Sequence, residues 1–360
     1  MKNFLAWEQT LFKDREIFEL GYVPDEFLYR DLQIKKIGYA IAPGIDGKHP
    51  QNIICIGPPG TGKTTSVKKI IEQAEQISPS SLILAYVNCR YTKTHYSVLA
   101  EIYKKMTGIE LPLSGIALKK LYGKVAETLV AKNKSMFVIL DDADFLISKG
   151  IFHDVVNNIL RLHEEYPLNI GLGAVHSISY PPLDDMTSIY KPTIVKFPGY
   201  TWDETFDILD RRVKIGLYPN VVEKVIIEKI TGCTVPKGDI RFGIELLKRS
   251  IINAEMRASK TVNFNDIDNA LIEASEDRLK RYLNVFTDIE IALFNAASEM
   301  GTSQAGELFD EFHKRTKKGY TTFHKALNKL INAKLVDISV ENRGKNGRTR
   351  VITVKQPISG

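Results

Sequence analysis

The segment "NIICIGPPGTGKTT", residues 52–65, begins as a short apolar run and continues into glycines, a lysine and two hydroxyls. Gly57, Gly62, Lys63 and Thr64 satisfy the P-loop spacing, with an apolar strand before the loop and a helical stretch after it. Glycines such as Gly57, Gly60 and Gly62 let the backbone wrap a phosphate chain. The loop N–H groups and the helix N-terminus supply the partial positive charge. In this pattern Lys63 is expected to reach the β- and γ-phosphates and the Thr64 hydroxyl to bind Mg²⁺, which makes ATP or ADP with Mg²⁺ the expected ligand set.

Outward from the loop, the short apolar runs 52–56, 82–87, 136–140, 170–175 and 193–197 alternate with longer helical stretches. Continuous apolar strands between helices predict an α/β fold whose parallel sheet is covered on both faces. The third run ends in "VILDDADFL" (138–146), which delivers carboxylates to the carboxyl edge of that sheet. Asp141 is therefore expected to hold the metal beside the P-loop. Asp142 stands where ATP-consuming machines commonly place a glutamate acting as general base. Aspartate is shorter by one C–C bond, about 1.5 Å. A misplacement near 1 Å can cost on the order of a hundredfold in rate, so slow hydrolysis with intact binding is expected.

After Pro198 the apolar strands stop. In "GDIRFGIELLKRSIINAE", Ile240, Ile244, Leu247, Ile251 and Ala254 form a helical stripe, and Asp239 is a natural N-cap for it. The last segment predicts three short helices. The third carries Phe323, Leu327, Leu330 and Ile331, and the strand pair that follows is turned by "NRGKNG" (342–347), the pattern of a winged helix-turn-helix. The expected organisation is an α/β nucleotide-binding domain over 1–197, an all-α lid over 198–280 and a C-terminal winged helix over 281–360, with a linker near Glu276 to Leu283.

Of the chain's net charge of +6, an excess of five sits from Arg281 onward, where 13 Lys and Arg face 8 Asp and Glu. A basic C-terminal segment points to a polyanionic partner, with a solvated surface as the plain alternative. Off the apolar face of the third helix lie Thr321, Thr322, Lys325, Asn328 and Lys329, placed to enter a major groove of double-stranded DNA. The preceding "HKRTKK" (313–318) lies where backbone phosphates should pass. Arg343, Lys345, Arg348 and Arg350 are expected at the hairpin tip, reaching an adjacent minor groove. Composition is that of an ordinary globular chain, 44% hydrophobic and 26% charged. No apolar run approaches the roughly 20 residues that span a bilayer. The isolated Cys55, Cys89 and Cys233 suit a reducing cytoplasm, with nucleoid association as the expected location.

The order of these motifs resembles the archaeal origin-recognition/cell-division-control replication initiators, a branch of the AAA+ ATPases, from about Phe12 to the C-terminus. The matching segments include "YVPDEFLYRDLQI" (22–34), "GPPGTGKTT" (57–65), "YVNCRYTKTHYSVLAEIY" (86–103), "FPGYTWDETFDILDRR" (197–212) and "KGDIRFGIELL" (237–247). The resemblance implies phosphate contacts from Thr61 to Thr65, with Thr61 and Thr65 flanking the lysine and Thr64. It implies an adenine-covering segment carrying Val23, Pro24 and Arg30, and nucleotide contacts at Tyr200 and Arg212. Arg241 corresponds to a lid arginine that senses the γ-phosphate. A cation at a helix N-terminus opposes the dipole, which makes sense where an anion is near. His176 stands where the family usually has asparagine, with a role in orienting water. Met186, within "LDDMTSIYK", lies near the place of a neighbour-sensing arginine. The resemblance also implies a DNA-contacting insertion near 88–97.

The function so implied is an ATP-binding initiator that recognises origin duplex DNA through the winged helix. Nucleotide would act mainly as a conformational switch, and other initiator subunits and a replicative helicase or its loader would be partners. The same residues also suit a nucleotide-gated transcription regulator. A ring-forming remodelling ATPase is a third reading, disfavoured by the departures at Asp142, His176 and Met186.

Overall fold

The computed structural model describes residues 10–77, 81–112, 114–177, 189–283, 286–333, 335–342 and 348–354. Two compact units divide the chain, one up to Leu247 and one from Lys248. In the first, α1 (Asp31–Ile45), β1 (Ile53–Ile56), α2 (Lys63–Ile77), β2 (Leu82–Asn88), α3 (His95–Thr107) and α4 (Leu118–Lys132) lead to β3 (Ser135–Asp141). There follow α5 (Asp144–Ile147), α6 (Phe152–Leu160), α7 (Leu162–Glu165), β4 (Ile170–His176) and β5 (Thr193–Lys196). Then come α8 (Trp202–Gly216), α9 (Lys224–Thr234) and α10 (Ile240–Met256), which crosses the boundary between the units.

All five expected apolar runs are strands of one parallel sheet in the order β2-β3-β4-β1-β5. Their side chains alternate between two buried layers. Ile54, Val87, Val138, Leu140 and Leu172 pack on one face with Val98, Leu121 and Val155 from α3, α4 and α6. Ile53, Cys55, Phe137, Ile139 and Val195 pack on the other with Ile37, Ile41 and Val67 from α1 and α2. Covering both faces is why the strands read as unbroken apolar runs. The register Ile56↔His176 and Leu140↔Ala174 brings the ends of β1, β3 and β4 to one edge, and with them the P-loop, Asp141, Asp142 and His176.

The all-helical expectation past Pro198 holds. α8 starts in a capping box in which Thr201 Oγ1 accepts from Glu204 N and Glu204 Oε2 accepts from Thr201 N. Asp239 caps α10, its Oδ1 accepting from Arg241 N at 3.0 Å.

In the second unit, α11 (Phe264–Leu283) is followed by α12 (Asp288–Met300), β6 (Thr302–Gln304), α13 (Ala305–Thr316), α14 (Tyr320–Asn332), β7 (Val336–Asn342) and β8 (Arg348–Val354). Two expectations change here. Residues 276–283, expected near a linker, are helical and form the last turns of a 20-residue helix. The helices also enclose a third strand: β6 pairs antiparallel with β8 and gives the sheet order β6-β8-β7. Leu293, Leu308, Phe312, Phe323, Leu327, Leu330 and Ile352 form the core beneath it, in the element order of a winged helix.

Candidate functional site

The loop between β1 and α2 makes two tight approaches that only glycine permits. Gly60 has φ +71°, and a Cβ there would lie 1.8 Å from Asp239 Oδ1. Gly62 has φ +87°, and its Cβ would meet Phe27 Cζ and the Tyr200 hydroxyl, each at 2.8 Å. Such φ values are strained for any residue with a side chain. The loop is thus gripped from above by the start of α10 and from the side by Phe27 and Tyr200. Lys63 is buried, its Nζ donating to the Gly57 and Pro58 carbonyls at 2.8 and 2.7 Å. Burial pulls its pKa down, and the neighbouring carboxylates, Asp144 foremost, oppose that shift.

Opposite the lysine, Thr64 Oγ1 donates to Asp141 Oδ1 at 3.0 Å and the Tyr86 hydroxyl donates to Oδ2 at 2.5 Å. Burial raises the Asp141 pKa, with the two hydroxyls acting the other way. The donor set suits magnesium. Two hard oxygens on one side leave room for the waters and phosphate oxygens that this ion prefers to a cage made wholly of protein.

Asp142 adopts the left-handed region, φ +53°, and its Oδ2 is 3.8 Å from Arg90 Nε. An aspartate tolerates this conformation better than most residues, at some cost in strain. Asp142 lines the same cavity as Lys63. His176, by contrast, is 2% exposed and does not line that cavity. Its ring packs edge-on against Phe152 at 5.4 Å, and neither ring nitrogen has a hydrogen-bond partner among the described residues. Asp144 Oδ1 lies 3.8 Å from its Nδ1, and Asp144 Oδ2 accepts from Ser177 N at 2.7 Å. Burial lowers the His176 pKa to about 4 against the opposing pull of Asp144. The expectation that His176 presents a nitrogen to water in the cavity is therefore not met; the ring is part of the core.

A cavity of about 650 Å³ is lined by this acidic edge and by the N-terminal segment, with Val23, Pro24, Phe27, Thr65, Asp142 and Arg241 among its walls. Arg212 also lines it, with its Nη1 on the Ile17 carbonyl and its guanidinium 5.2 Å from the Tyr22 ring centroid. Burial brings the Arg212 pKa down to about 10. Tyr200 lines the cavity too, and burial raises its pKa.

Arg30 is placed differently from the sequence expectation. It is 2% exposed, and its Nε, Nη1 and Nη2 donate to the carbonyls of Thr61, Tyr29 and Pro198 at 2.9, 2.7 and 2.8 Å. Its guanidinium stacks 3.8 Å from the Tyr200 ring centroid. It braces the P-loop from behind and does not line the cavity. Gly57 likewise shapes the loop without lining it.

Arg241 lines the cavity, yet it already has an anion. Its Nε and Nη2 form a two-point pair with Asp239 at 2.9 and 2.8 Å. The dipole penalty that suggested a phosphate is thus offset by an aspartate two residues away.

In the second unit, Thr321, Lys325 and Asn328 are exposed on α14, with Thr322 half-buried beside them. Lys329 is exposed as well, but its ammonium is bound to Glu290, a capping carboxylate only 6% exposed. Within 313–318, Arg315 is held by Glu299 and Glu311. Arg350 lies on β8 opposite Val340, two residues from Arg348, so both belong to a strand rather than to the hairpin tip. Arg343, Lys345 and Met186 lie outside the described residues.

Tyr86, Phe27 and Asp144 escaped the sequence reading. The available signals were a phenol near the end of the apolar run "LILAYV" and a third acid in "DDAD".

Residues 45–178 match the AAA domain family, and residues 206–271 match the Cdc6 AAA+ ATPase-type lid domain. The chain is 37% identical over 357 residues to ORC1-type DNA replication protein 2 of Methanosarcina acetivorans, covering 98% of this chain and 95% of that one. It is 34% identical over 358 residues to ORC1-type DNA replication protein 6 of Halobacterium salinarum, with 98% and 95% covered. The fold is similar to that of the Aeropyrum pernix ORC1 protein in complex with DNA, with a TM-score of 0.80 at 22% identity over 97% of this chain and 94% of that one. Among the described residues no helix is long and apolar enough to cross a membrane.

Proposed function

The chain belongs to the ORC1-type DNA replication proteins, and from that premise we propose an origin-binding initiator that holds ATP and Mg²⁺ mainly as a switch. The reading assigns nucleotide binding to residues 1–197, with a lid over 198–280, and DNA binding to residues 281–360. The single observation that carries the switch is the seat of the lid on the phosphate loop. Asp239 lies against Gly60 and pairs with Arg241 at the mouth of the phosphate site. A γ-phosphate beside that pair competes with Asp239 for the guanidinium, whereas ADP leaves the pair intact. The N-terminus of α10 therefore has two arrangements, and the nucleotide selects between them.

Binding falls to the P-loop residues Gly57 to Thr65, with Tyr200, Arg212, Val23 and Pro24 enclosing the base end of the cavity. Thr64 and Asp141 are the residues that would hold magnesium, which when bound neutralises phosphate charge. Hydrolysis requires a base aligned with water. Asp142 is short and sits beside Arg90, and His176 is turned into the core, so turnover is slow while retention is not impaired. Duplex DNA is met by Thr321, Thr322, Lys325 and Asn328 of α14 in a major groove, with Arg348 and Arg350 of the β7–β8 wing alongside.

Calorimetric titration with ATP and with ADP, followed by single-turnover conversion of pre-bound ATP, tests this reading. Binding of both nucleotides with conversion far slower than dissociation is expected. Rapid turnover would reject the switch.

A further inference from the structure

The metal carboxylate is held from two sides, and only one of them belongs to the P-loop. Thr64 takes Asp141 Oδ1 at 3.0 Å, while Oδ2 is taken at 2.5 Å by Tyr86, a side chain from the neighbouring strand. In the β2–β3 register Asn88 is opposite Asp141 and Tyr86 is opposite Ile139, so the phenol reaches diagonally, two residues along the strand, to the carboxylate. The Tyr86 ring is half-buried on the sheet, and the Lys68 ammonium from α2 lies 5.8 Å from its centroid.

We propose that Tyr86 is a positioning residue for the metal site, holding Asp141 through Oδ2 so that Oδ1 is the oxygen turned toward Thr64 and the magnesium. This rests on the nucleotide–magnesium reading above and adds to it a group that no P-loop pattern contains. A carboxylate on the last residue of a strand has rotamer freedom, and one that turns away from the loop is of no use to a metal. A hydrogen bond from a rigid ring removes that freedom before the metal arrives. Losing a partner of this kind in a metal site typically costs about 10- to 100-fold in metal affinity or activity.

The test uses the full chain and its Tyr86→Phe variant, which keeps the ring and deletes only the hydroxyl. ADP affinity is measured in EDTA and across a MgCl₂ series, with thermal unfolding of both proteins as the control for folding. The half-saturating Mg²⁺ concentration is expected to rise about tenfold in Tyr86→Phe. That rise should exceed any change in ADP affinity in EDTA. An unchanged Mg²⁺ requirement would overturn the proposal, and so would an equal loss of ADP affinity with and without the metal, because the hydroxyl would then act on the nucleotide site by a route other than the metal. Failure of the unaltered chain to bind ADP in either condition would instead reject the nucleotide reading itself.

Discussion

Replacing Arg30 separates a brace from a ligand contact. Arg30→Met keeps much of the volume but removes three N–H donors and a positive charge. The carbonyls of Thr61, Tyr29 and Pro198 lose those donors at a site where Arg30 itself is 2% exposed. An unsatisfied buried polar group costs roughly 1–3 kcal/mol. Relief of the buried charge offsets part of the total, which leaves a net loss of about 3 kcal/mol. In a unit of this size about 1 kcal/mol moves the melting temperature by roughly 2–4 °C, so a fall of about 6–12 °C is expected. Arg30→Lys should lose nearly as much, since an ammonium cannot reproduce a planar fork across three separate carbonyls. The assay is scanning calorimetry without added nucleotide. A variant with unchanged melting but weakened ATP binding would refute the brace and return Arg30 to the role of a nucleotide contact.

Gly60→Ala forces a Cβ into the space of Asp239 at a left-handed φ, so nucleotide affinity should fall at least about tenfold by titration, because the loop and the lid cannot both keep their places. Lys325→Ala should weaken DNA binding across sequences and reduce the salt slope by about one, read from binding isotherms at several salt concentrations. Lys329→Ala should hardly change that slope but should destabilise the second unit by about 1 kcal/mol, because Glu290 loses its partner. His176, with its pKa lowered to about 4, binds fewer protons folded than unfolded between that value and the ordinary 6.5. Stability should therefore be full above about pH 6.5 and drop by about 3 kcal/mol as pH falls toward 4. His176→Gln should flatten that stretch of the melting profile.

Much of the fold could be read from residues in sequence order because the physics concerned is local. Five apolar runs became five strands because both sheet faces are covered, and Asp239 capped α10 as its position suggested. β6 was missed because "TSQ" carries no apolar pattern, and only its pairing with β8 makes it a strand. The helical form of residues 276–283 was not legible, because "EDRLKR" is mostly charged and only its continuation from α11 makes it helix. The site was half legible. Spacing identified Lys63, Thr64 and Asp141, whose roles follow from one strand and one loop. It could not show that Arg30 spends its donors on three carbonyls, that Glu290 claims Lys329 from 39 residues away, or that His176 turns inward. Each of those depends on which distant group folding brings near.

The most direct measurement is capture of fragmented host genomic DNA by the purified chain at near-physiological salt, with ATP and ADP in parallel. Low salt would favour non-specific phosphate contacts. The account predicts enrichment of one or a few loci where DNA synthesis begins, stronger with one nucleotide than with the other. Dispersed promoter sites, or equal capture without sequence preference in both nucleotide states, would contradict it.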